Sequence, residues 1–282
     1  MKIITGSDLH LEHYFNFMDF GFSSYFKHNE YEADVLILAG DVLDTSCLFL
    51  DRVDEWFSNL SDRYEHVLYV MGNHEHYCGD FALTAERIGR QLARYPNIRL
   101  LDKRGVTING VRFFGGTMWT NFNNGDPIAM YDAKRGMNDY YMVKNSKTPV
   151  SFKKKDENGN VTFHEREGKL TPHDVLEDHN AFLAALKADL EVHSTKDFYV
   201  ITHHSPTYAM CHDDFRGHPL NACYHSNLEH IMLDNPQIKK WSFGHTHGRK
   251  RLTIGECEII LNARGYAQER ISQTFDWAEI DL

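Results

Sequence analysis

The sequence predicts an α/β fold in which helices alternate with largely parallel strands. Patterns typical of buried strands and of amphipathic helices follow one another in the first third of the chain. The 32 residues from Asp41 to Asn73 match the length of one strand–helix–strand unit. Polar side chains follow the ends of five predicted strands, which is where ligand sites form in open α/β sheets. With 282 residues, 42% of them hydrophobic, the chain can bury a large core.

The first half of the chain contains most of the predicted strands. Apolar runs predict strands over residues 2–7, 34–40 and 66–71, and apolar residues at helical spacing predict helices over residues 48–60 and 80–94. Short strands are expected at residues 98–101, 106–108 and 111–114. Asn109-Gly110 between the last two is typical of a type I′ hairpin turn.

Residues 120–170 are polar and rich in turn formers, so we interpret them as an insertion within a single domain spanning residues 1–282. Asn158-Gly159-Asn160 suggests a hairpin inside the insertion. The run Lys153-Lys154-Lys155 is interpreted as a solvated tip, with a role in holding substrate phosphates as the alternative.

A long helix is predicted after Thr171, which suits the N-cap position and is followed by a proline. His179 lies on the apolar stripe of this helix, so a packing role in the core is expected for it. Strands follow at residues 198–202 and 239–243, and residues 252–254 and 257–261 form a predicted hairpin.

Composition excludes several classes of protein. A net charge of −10 disfavours bulk electrostatic binding to a polyanion. No apolar run approaches the roughly 18 residues of a membrane span, and the first ten residues do not resemble a signal peptide. The five cysteines form no Cys-x-x-Cys pair, so neither a disulfide framework nor a thiolate zinc site is expected. These features predict a cytoplasmic protein.

The strand ends carry the chemistry. They read Asp8-x-His10, Gly40-Asp41-x-x-Asp44, Gly72-Asn73-His74-Glu75, His203-His204-x-Pro206 and Gly244-His245-x-His247. Asp, Asn and His donors suit Mn, Fe or Zn ions. Residues i and i+2 of an extended segment share one face, and a carboxylate can bridge two metals. Seven ligands are enough for two ions that clamp an in-line displacement.

In this order, the motifs resemble the calcineurin-like metallophosphoesterase superfamily over residues 8–247. The resemblance implies a four-layer α/β/β/α sandwich of two mixed β-sheets flanked by helices, with a dimetal site at one edge. Three segments, residues 7–12, 202–204 and 262–266, resemble a branch of bacterial and phage phosphoesterases. That branch usually reads Asn-Pro-Arg-Gly-Tyr over the segment at residues 262–266, where this chain has Ala263.

The resemblance also implies the metal ligands. One ion would be held by Asp8, His10 and His247, the other by Asn73, His203 and His245, and Asp41 would bridge them. His203 is preferred to His204 by its place in the family motif, and neighbouring strand side chains point apart. The expected cofactors are two divalent metal ions, with Mn²⁺ favoured and Fe, Zn, Co or Ni open.

Further residues are candidates for contact with substrate. By resemblance, His74 would protonate the leaving oxygen or donate to the phosphoryl group, and Asp44 would orient it, unless Asp44 caps a helix instead. Glu75 is expected to support its neighbours rather than to react. Arg264 and His204 are candidate substrate contacts, and Arg264 serves equally well as a structural anchor. Two places in the chain, Asn138-Asp139 and His179, are candidates for the pocket wall.

One departure from the family pattern bears on substrate class. Protein phosphatases of this superfamily have Arg-Gly after the residue equivalent to Asp44, whereas this chain has Thr45-Ser46. A monoester dianion benefits from such an arginine clamp, so a phosphodiester substrate is favoured.

We therefore expect hydrolysis of a phosphate ester by attack of a metal-bound hydroxide, with a nucleotide as a candidate substrate. Phosphomonoesterase and nuclease activity are the enzymatic alternatives, and nucleic acid is possible as a partner but not favoured. A local basic strip at Lys144, Lys147 and Lys153–Lys155 could offset the net negative charge. A catalytically silent scaffold of the same fold is the non-enzymatic alternative. The sequence is silent on oligomeric state, and no membrane partner is expected.

Overall fold

The strands of the protein form two mixed sheets and a separate two-stranded hairpin. The structure is a computed structural model that describes residues 1–13, 32–155, 157 and 159–282. The strands are β1 (Lys2–Gly6), β2 (Val35–Ala39), β3 (His66–Val70), β4 (Ile98–Leu100), β5 (Arg104–Ile108), β6 (Val111–Gly116), β7 (Lys144–Lys155), β8 (Val161–Lys169), β9 (Phe198–Thr202), β10 (Ile238–Phe243), β11 (Arg249–Ile254), β12 (Cys257–Asn262) and β13 (Ala278–Asp281).

The first sheet has the strand order β13-β1-β2-β3-β4. Strands β1 to β4 are parallel to one another, so their carboxyl ends meet at one edge of the sheet. The edge strand β13 pairs antiparallel with β1. Because β2 is buried on both faces, all five of its side chains are apolar, as expected for a central parallel strand.

The second sheet has the order β11-β12-β10-β9-β6-β5. Its four central strands run parallel, and the two edge strands are antiparallel to their neighbours. The turn between β5 and β6 has positive φ at both Asn109 and Gly110, at 48° and 89°, which confirms the type I′ turn expected from the sequence.

Of the seven α-helices in the described residues, four pack on the outer faces of the sheets and three short ones lie between β6 and β7. The seven helices are α1 (Asp51–Arg63), α2 (Thr84–Leu92), α3 (Phe122–Gly125), α4 (Pro127–Gly136), α5 (Asp139–Met142), α6 (Pro172–Val192) and α7 (Glu229–Asp234). Trp56 and Phe57 of α1 share a core with Tyr69 of β3, and Phe182 of α6 shares one with Phe114 of β6. A third apolar core, between the sheets, completes the predicted sandwich.

Helix α6 begins as the sequence predicts. The Thr171 hydroxyl accepts from the Asp174 N–H at 3.2 Å, and the Asp174 carboxylate accepts from the Thr171 N–H at 2.8 Å. This reciprocal capping box fixes the first turn. His179 is fully buried on this helix and its Nδ1 lies 2.9 Å from the Met118 carbonyl, so the expected packing role is confirmed.

Residues 120–170 contain more regular structure than their composition indicated. Three short helices and the two-stranded hairpin β7–β8 occupy them. The strands pair as the Asn158-Gly159-Asn160 signal suggested, although Asn158 itself lies outside the described residues. Lys153, Lys154 and Lys155 are exposed on β7, as expected of a solvated surface.

Besides the three short helices within residues 120–170, the sequence predicts neither of two further elements, and one predicted helix has different bounds. Neither α7 nor β13 was expected, because a six-residue helix and a four-residue edge strand leave too short a periodic pattern. Helix α1 is shifted three residues towards the C-terminus of its predicted span. All five cysteines are free, four of them buried and Cys78 exposed. Within the described residues, no helix is long and apolar enough to cross a membrane.

Candidate metal centre

The five strand-end motifs meet at one place. β1, β2 and β3 bring Asp8, His10, Asp41, Asn73 and His74 to the edge of the first sheet, and β9 and β10 bring His203, His245 and His247 from the second sheet. Potential ligand atoms lie within 4.8 Å of one another in each of three overlapping groups, which are Asp8–His10–His247, His10–Asp41–His74 and Asp41–His203–His245.

The backbone of this site is held in an unusual conformation. Five of the seven predicted ligands have φ in the left-handed region, namely Asp8 (55°), His10 (48°), Asp41 (52°), His245 (68°) and His247 (38°). Each such non-glycine residue costs about 1–3 kcal/mol, and such costs concentrate at functional sites. The expectation that extended backbone aligns Asp8 with His10 is therefore wrong, because left-handed turns bring both side chains to the site.

Glycines let the strand ends approach the ligands. A Cβ atom on Gly72 would collide with the Asp41 carboxylate, and one on Gly244 would collide with the side chains of Ser7 and Asp8. These two motif glycines are required by close packing against ligand side chains rather than by a turn.

Three histidines are oriented in the same way. The Nδ1 atom of His10 lies 3.0 Å from Glu12 Oε1, that of His203 lies 3.0 Å from the Ala39 carbonyl, and that of His247 lies 2.7 Å from Glu269 Oε2. Because all three partners are acceptors, each Nδ1 carries the proton. In the neutral ring, each Nε2 then presents a lone pair.

Those lone pairs face other acceptors. His203 Nε2 lies 3.2 Å from Asp41 Oδ2 and 3.1 Å from Asn73 Oδ1. His247 Nε2 lies 3.2 Å from His10 Nε2 and 3.4 Å from Asp8 Oδ1. Acceptors repel one another unless a proton or cation lies between them, and a ligating histidine usually donates its other N–H to a supporting acceptor.

Asn73 is oriented by a residue of the segment between β6 and α6. Its Nδ2 donates to Asp139 Oδ1 at 2.8 Å, and the Tyr77 hydroxyl donates to the same oxygen at 3.0 Å. Asp139 is buried. Because the amide nitrogen is taken by Asp139, the amide oxygen of Asn73 faces His203 and the centre of the cluster.

These observations fit a site for two divalent cations. The donors are carboxylate, imidazole and amide groups, which suit ions such as Mn²⁺, Fe²⁺ and Zn²⁺. His245 Nε2 is buried and has no hydrogen-bond partner among the described residues, which is costly unless a ligand satisfies it. The side chains that would hold the ions are Asp8, His10, Asp41, Asn73, His203, His245 and His247.

Glu75 supports the bridging position. Its fully buried carboxylate accepts from the backbone N–H groups of Asp41, Val42 and Gly72 at 3.0, 2.7 and 2.6 Å, and from the Tyr69 hydroxyl at 2.7 Å. It therefore joins the loop after β2 to the loop after β3. This supporting role agrees with the expectation for Glu75.

His74 lies above the cluster between two tyrosines. Its Nε2 is 3.1 Å from the Tyr266 hydroxyl, and its ring stacks on Tyr77 with centroids 4.2 Å apart. Burial lowers the pKa of His74, but the negative charges of Asp41 and Glu12 outweigh burial and raise that pKa to about 9.

The carboxylate beside His74 is not the expected one. Glu12 Oε1 lies 3.5 Å from His74 Nδ1. The sequence predicts Asp44 in this position, but Asp44 Oδ1 accepts from the N–H and hydroxyl of Ser46 at 2.9 and 2.5 Å. Asp44 therefore closes a local turn, which is close to the capping alternative considered for it.

His204 and Arg264 also differ from their expected substrate roles. His204 is buried against Trp119 and His245, with ring centroids 5.2 and 4.3 Å away, and burial lowers its pKa well below the ordinary value. Arg264 Nη1 donates to the Leu9 carbonyl at 3.2 Å, which favours the anchor alternative. Neither residue lines the cleft described next.

A cleft of about 400 Å³ opens over the cluster. Asn138 lies on its wall, Asp139 lies behind Asn73, and His179 does not reach it. The lining residues are Asp41, Asn73, His74, Tyr77, Gly136, Met137, Asn138, Cys211, His212, Phe215, His218, Leu220, Asn221, Tyr224, His225, His245, Thr246, His247, Tyr266 and Glu269.

Sequence reasoning missed four supporting residues. Glu12 and Tyr266 lie within segments 7–12 and 262–266, whose resemblance to a phosphoesterase branch was noted, but neither was given a role. Asp139 was considered for the pocket wall and not as a partner of Asn73. Glu269, which orients His247, stands in no motif that could have indicated it.

Comparison with known families shows to which family the chain belongs. A model of the calcineurin-like phosphoesterase family matches residues 1–249. This chain belongs to that family. It is a metallophosphoesterase whose histidine and aspartate clusters suit a dimetal site.

Relatives of this calcineurin-like phosphoesterase include a protein of unknown role and two solved structures. An uncharacterized protein of Acanthamoeba polyphaga mimivirus is 26% identical over 94% of this chain and 91% of that protein. The phosphopantetheinyl hydrolase of Mycobacterium tuberculosis has a TM-score of 0.70 at 14% identity, covering 99% of this chain and 95% of that one. A dimetal phosphatase of Danio rerio has a TM-score of 0.51 at 14% identity, covering 99% and 91%. At these identities, the structures show a shared fold of two mixed sheets flanked by helices.

Proposed function

We propose that this calcineurin-like phosphoesterase is a phosphodiesterase that requires two divalent metal ions, with Mn²⁺ as the favoured ion. Asp8, His10 and His247 would hold one ion, Asn73, His203 and His245 would hold the other, and Asp41 would bridge them. The observation that carries this proposal is the common orientation of His10, His203 and His247. Each places Nδ1 against an acceptor outside the cluster and Nε2 against oxygens or nitrogens inside it.

When bound, two such ions would lower the pKa of a water molecule and neutralise charge on the phosphoryl group. The chain itself would supply the proton for the departing oxygen. His74 Nε2 is on the cleft side of the cluster, and Glu12 beside Nδ1 stabilises the protonated ring. The Tyr266 hydroxyl, 3.1 Å from His74 Nε2, would orient the ring until substrate displaces that contact.

The preference for diesters rests on the charge of the cleft. Among the described residues, no lysine or arginine lines it. A monoester dianion gains most from a bidentate guanidinium, and Arg264 contacts the Leu9 carbonyl instead. The segment after Asp44 offers Thr45 and Ser46 where a phosphatase of this family has arginine. A diester carries a single negative charge, which two cations can neutralise without that arginine.

The first experiment compares bis-p-nitrophenyl phosphate with p-nitrophenyl phosphate. The protein would be stripped with chelator and refilled with Mn²⁺. We expect faster turnover of the diester, its loss in the stripped protein and its loss in Asn73→Ala. Phe163→Ala, on the exposed hairpin, is the matched control and should retain full activity. Faster turnover of the monoester would contradict the proposal and favour a phosphatase, whereas no metal-dependent turnover of either would favour a scaffold.

A second experiment tests the role of His74. General acid catalysis matters most for a poor leaving group, because an alkoxide must be protonated as it departs, whereas p-nitrophenolate is stable without a proton. We expect His74→Asn to lower kcat by about 100-fold or more for an alkyl diester and much less for bis-p-nitrophenyl phosphate. An equal loss with both leaving groups would contradict proton donation by His74.

A further inference from the structure

The cleft extends well beyond the candidate metal centre. We use the term outer arm for the part of its wall formed by Asn138, His212, Phe215, His218, Asn221 and Tyr224. Asn138 follows α4, and the other five residues lie in the loop that joins β9 to α7. Because these residues and the metal-centre residues line one cavity, a substrate with phosphorus at the centre can extend into the outer arm.

The outer arm carries no fixed positive charge among the described residues. Arg216, the arginine of this loop, does not line the arm, and its Nε lies 2.8 Å from Asp213 Oδ1. Burial lowers the pKa of His225, at the base of the arm, to about 4, so that ring is neutral near pH 7. A substrate group with its own negative charge would therefore find no lysine or arginine partner in this wall.

Two histidines of the outer arm contact backbone N–H groups through Nδ1. His212 Nδ1 accepts from the Asp214 N–H at 3.3 Å, and His218 Nδ1 accepts from the Leu220 N–H at 3.2 Å. A nitrogen that accepts a hydrogen bond has no proton, so the single proton of each neutral ring is on Nε2. In that ring form, His212 and His218 offer Nε2–H donors at the cleft wall.

The remaining groups complete a surface that suits a neutral ring. Asn221 Nδ2 donates to the Phe215 carbonyl at 2.6 Å, which leaves the amide oxygen of Asn221 as an acceptor. Phe215 lines the cleft and is 59% exposed, so its ring is accessible to an aromatic group of a ligand. Tyr224 stacks on His245 with centroids 4.6 Å apart and joins the arm to the metal centre.

We infer that the outer arm binds an uncharged aromatic ester group, so that the substrate is a phosphodiester with one negative charge and no second anionic group. This inference rests on the proposed phosphodiesterase function. Phe215 would stack on the aromatic group, and the Nε2–H donors with the Asn221 oxygen would bind its polar substituents. Polyphosphates and phosphopeptides are excluded by the same reasoning, because they place additional charge in the arm.

Three diesters that share the p-nitrophenyl leaving group test the inference with the Mn²⁺-loaded protein. The second ester group is p-nitrophenyl, methyl or 4-carboxyphenyl, and the last has nearly the shape of the first with one added negative charge. We expect KM to be about 10-fold higher for the methyl diester, because stacking is lost, and at least 10-fold higher for the carboxyphenyl diester. Equal KM values for all three would overturn the inference.

Variants test whether the outer arm causes these differences in KM. Phe215→Ala should raise KM about 5- to 10-fold for the p-nitrophenyl diester and leave the methyl diester unchanged, and Phe163→Ala should change neither. His218→Arg should lower KM selectively for the carboxyphenyl diester. Parallel losses for the aryl and methyl diesters in Phe215→Ala would overturn the inference.

Binding of diphenyl phosphate, measured by calorimetry, separates this inference from the proposed function. In one outcome, none of the diesters is hydrolysed, but diphenyl phosphate binds and Phe215→Ala weakens that binding. That outcome would support the inference about the outer arm and contradict the phosphodiesterase proposal. If diesters are hydrolysed but diphenyl phosphate binds equally to both proteins, the phosphodiesterase proposal stands and the inference about the arm fails.

Discussion

A single carboxylate decides which atom of Asn73 faces the candidate metal centre. The two ends of a carboxamide have nearly the same shape, so only hydrogen bonding can fix the orientation of Asn73. Asp139 accepts from Nδ2 at 2.8 Å and thereby turns Oδ1, the one atom that can ligate a cation, towards His203. Asp139 is a positioning residue, because it acts on substrate and metal only through Asn73.

Replacing Asp139 tests this role. In Asp139→Asn, the new amide can present either end to Asn73, so the orientation of Asn73 is no longer fixed. We expect metal affinity to fall about 10- to 100-fold, as measured by competition with a chelating dye, and kcat/KM to recover at high Mn²⁺ concentration. The matched control is Asp132→Asn in neighbouring α4. Unchanged affinity in Asp139→Asn would show that Asn73 is held by other contacts.

A second prediction at the scale of one residue concerns the replacement of Glu75. Glu75→Gln replaces an acceptor of four hydrogen bonds with a group that presents an N–H₂ to backbone N–H donors. A buried donor left without an acceptor costs about 1–3 kcal/mol. We expect the free energy of unfolding to fall by that amount in urea titration. Tyr69→Phe removes one partner and should cost less, so an equal or larger loss there would contradict the argument.

The sequence indicated the metal-centre residues far better than their supports. Asp8, Asp41 and Asn73 follow strands whose apolar runs are unmistakable, and parallel strands bring their carboxyl ends together. Asp139 acts on a residue 66 positions away, and Glu269 on one 22 positions away, through contacts that no local pattern encodes. The sequence predicts Asp44 beside His74, whereas Glu12 lies there, because spacing alone cannot say which carboxylate meets His74.

At the scale of elements, the β7–β8 hairpin is attached at its base and exposed beyond it. Asn145 and Gly168 are its buried residues, and Asp80 Oδ1 accepts from the Ser146 N–H at 3.1 Å. The Phe81 N–H donates to the Lys144 carbonyl at 2.8 Å, which ties the same base to the loop after β3. The two strands therefore add little buried apolar surface to the protein, and their polar composition is explained by exposure.

Shortening the hairpin tests its importance. Replacing residues 150–166 by an Asn-Gly turn removes exposed strand while keeping the buried base. Because such surface changes alter stability by about 0.5 kcal/mol, we expect Tm to change by about 2 °C or less in calorimetry. Turnover of bis-p-nitrophenyl phosphate should be unchanged. A large loss of activity on an oligonucleotide alone would instead show that Lys153–Lys155 bind nucleic acid and would revive the nuclease alternative.

At the scale of the whole molecule, the candidate metal centre joins the two sheets. Asp8, Asp41 and Asn73 come from the first sheet, whereas His203, His245 and His247 come from the second. The sheets also share an apolar core that includes Ile37, Leu68, Phe113 and Ile201. The long-range order of strands in each sheet was not predictable from local periodicity, and it is this order that brings β1 and β10 to the same edge.

A centre shared by two sheets should contribute to the stability of both. Ions that bind the folded chain and not the unfolded chain stabilise it by about 4 kcal/mol when their concentration is 1,000 times Kd. For a protein of this size, that corresponds to roughly 10 °C in Tm. We expect chelation to lower Tm by that amount in one cooperative transition and readdition of Mn²⁺ to restore it. The rise in Tm on Mn²⁺ binding should be smaller in Asn73→Ala and unchanged in Phe163→Ala.

If the chelated protein instead lost its second sheet in a separate, earlier transition, the apolar core between the sheets would be insufficient to hold them together without metal. An unchanged Tm in protein shown by elemental analysis to have lost bound metal would mean that the ions do not join the sheets, because a link that holds both must be lost when it is removed.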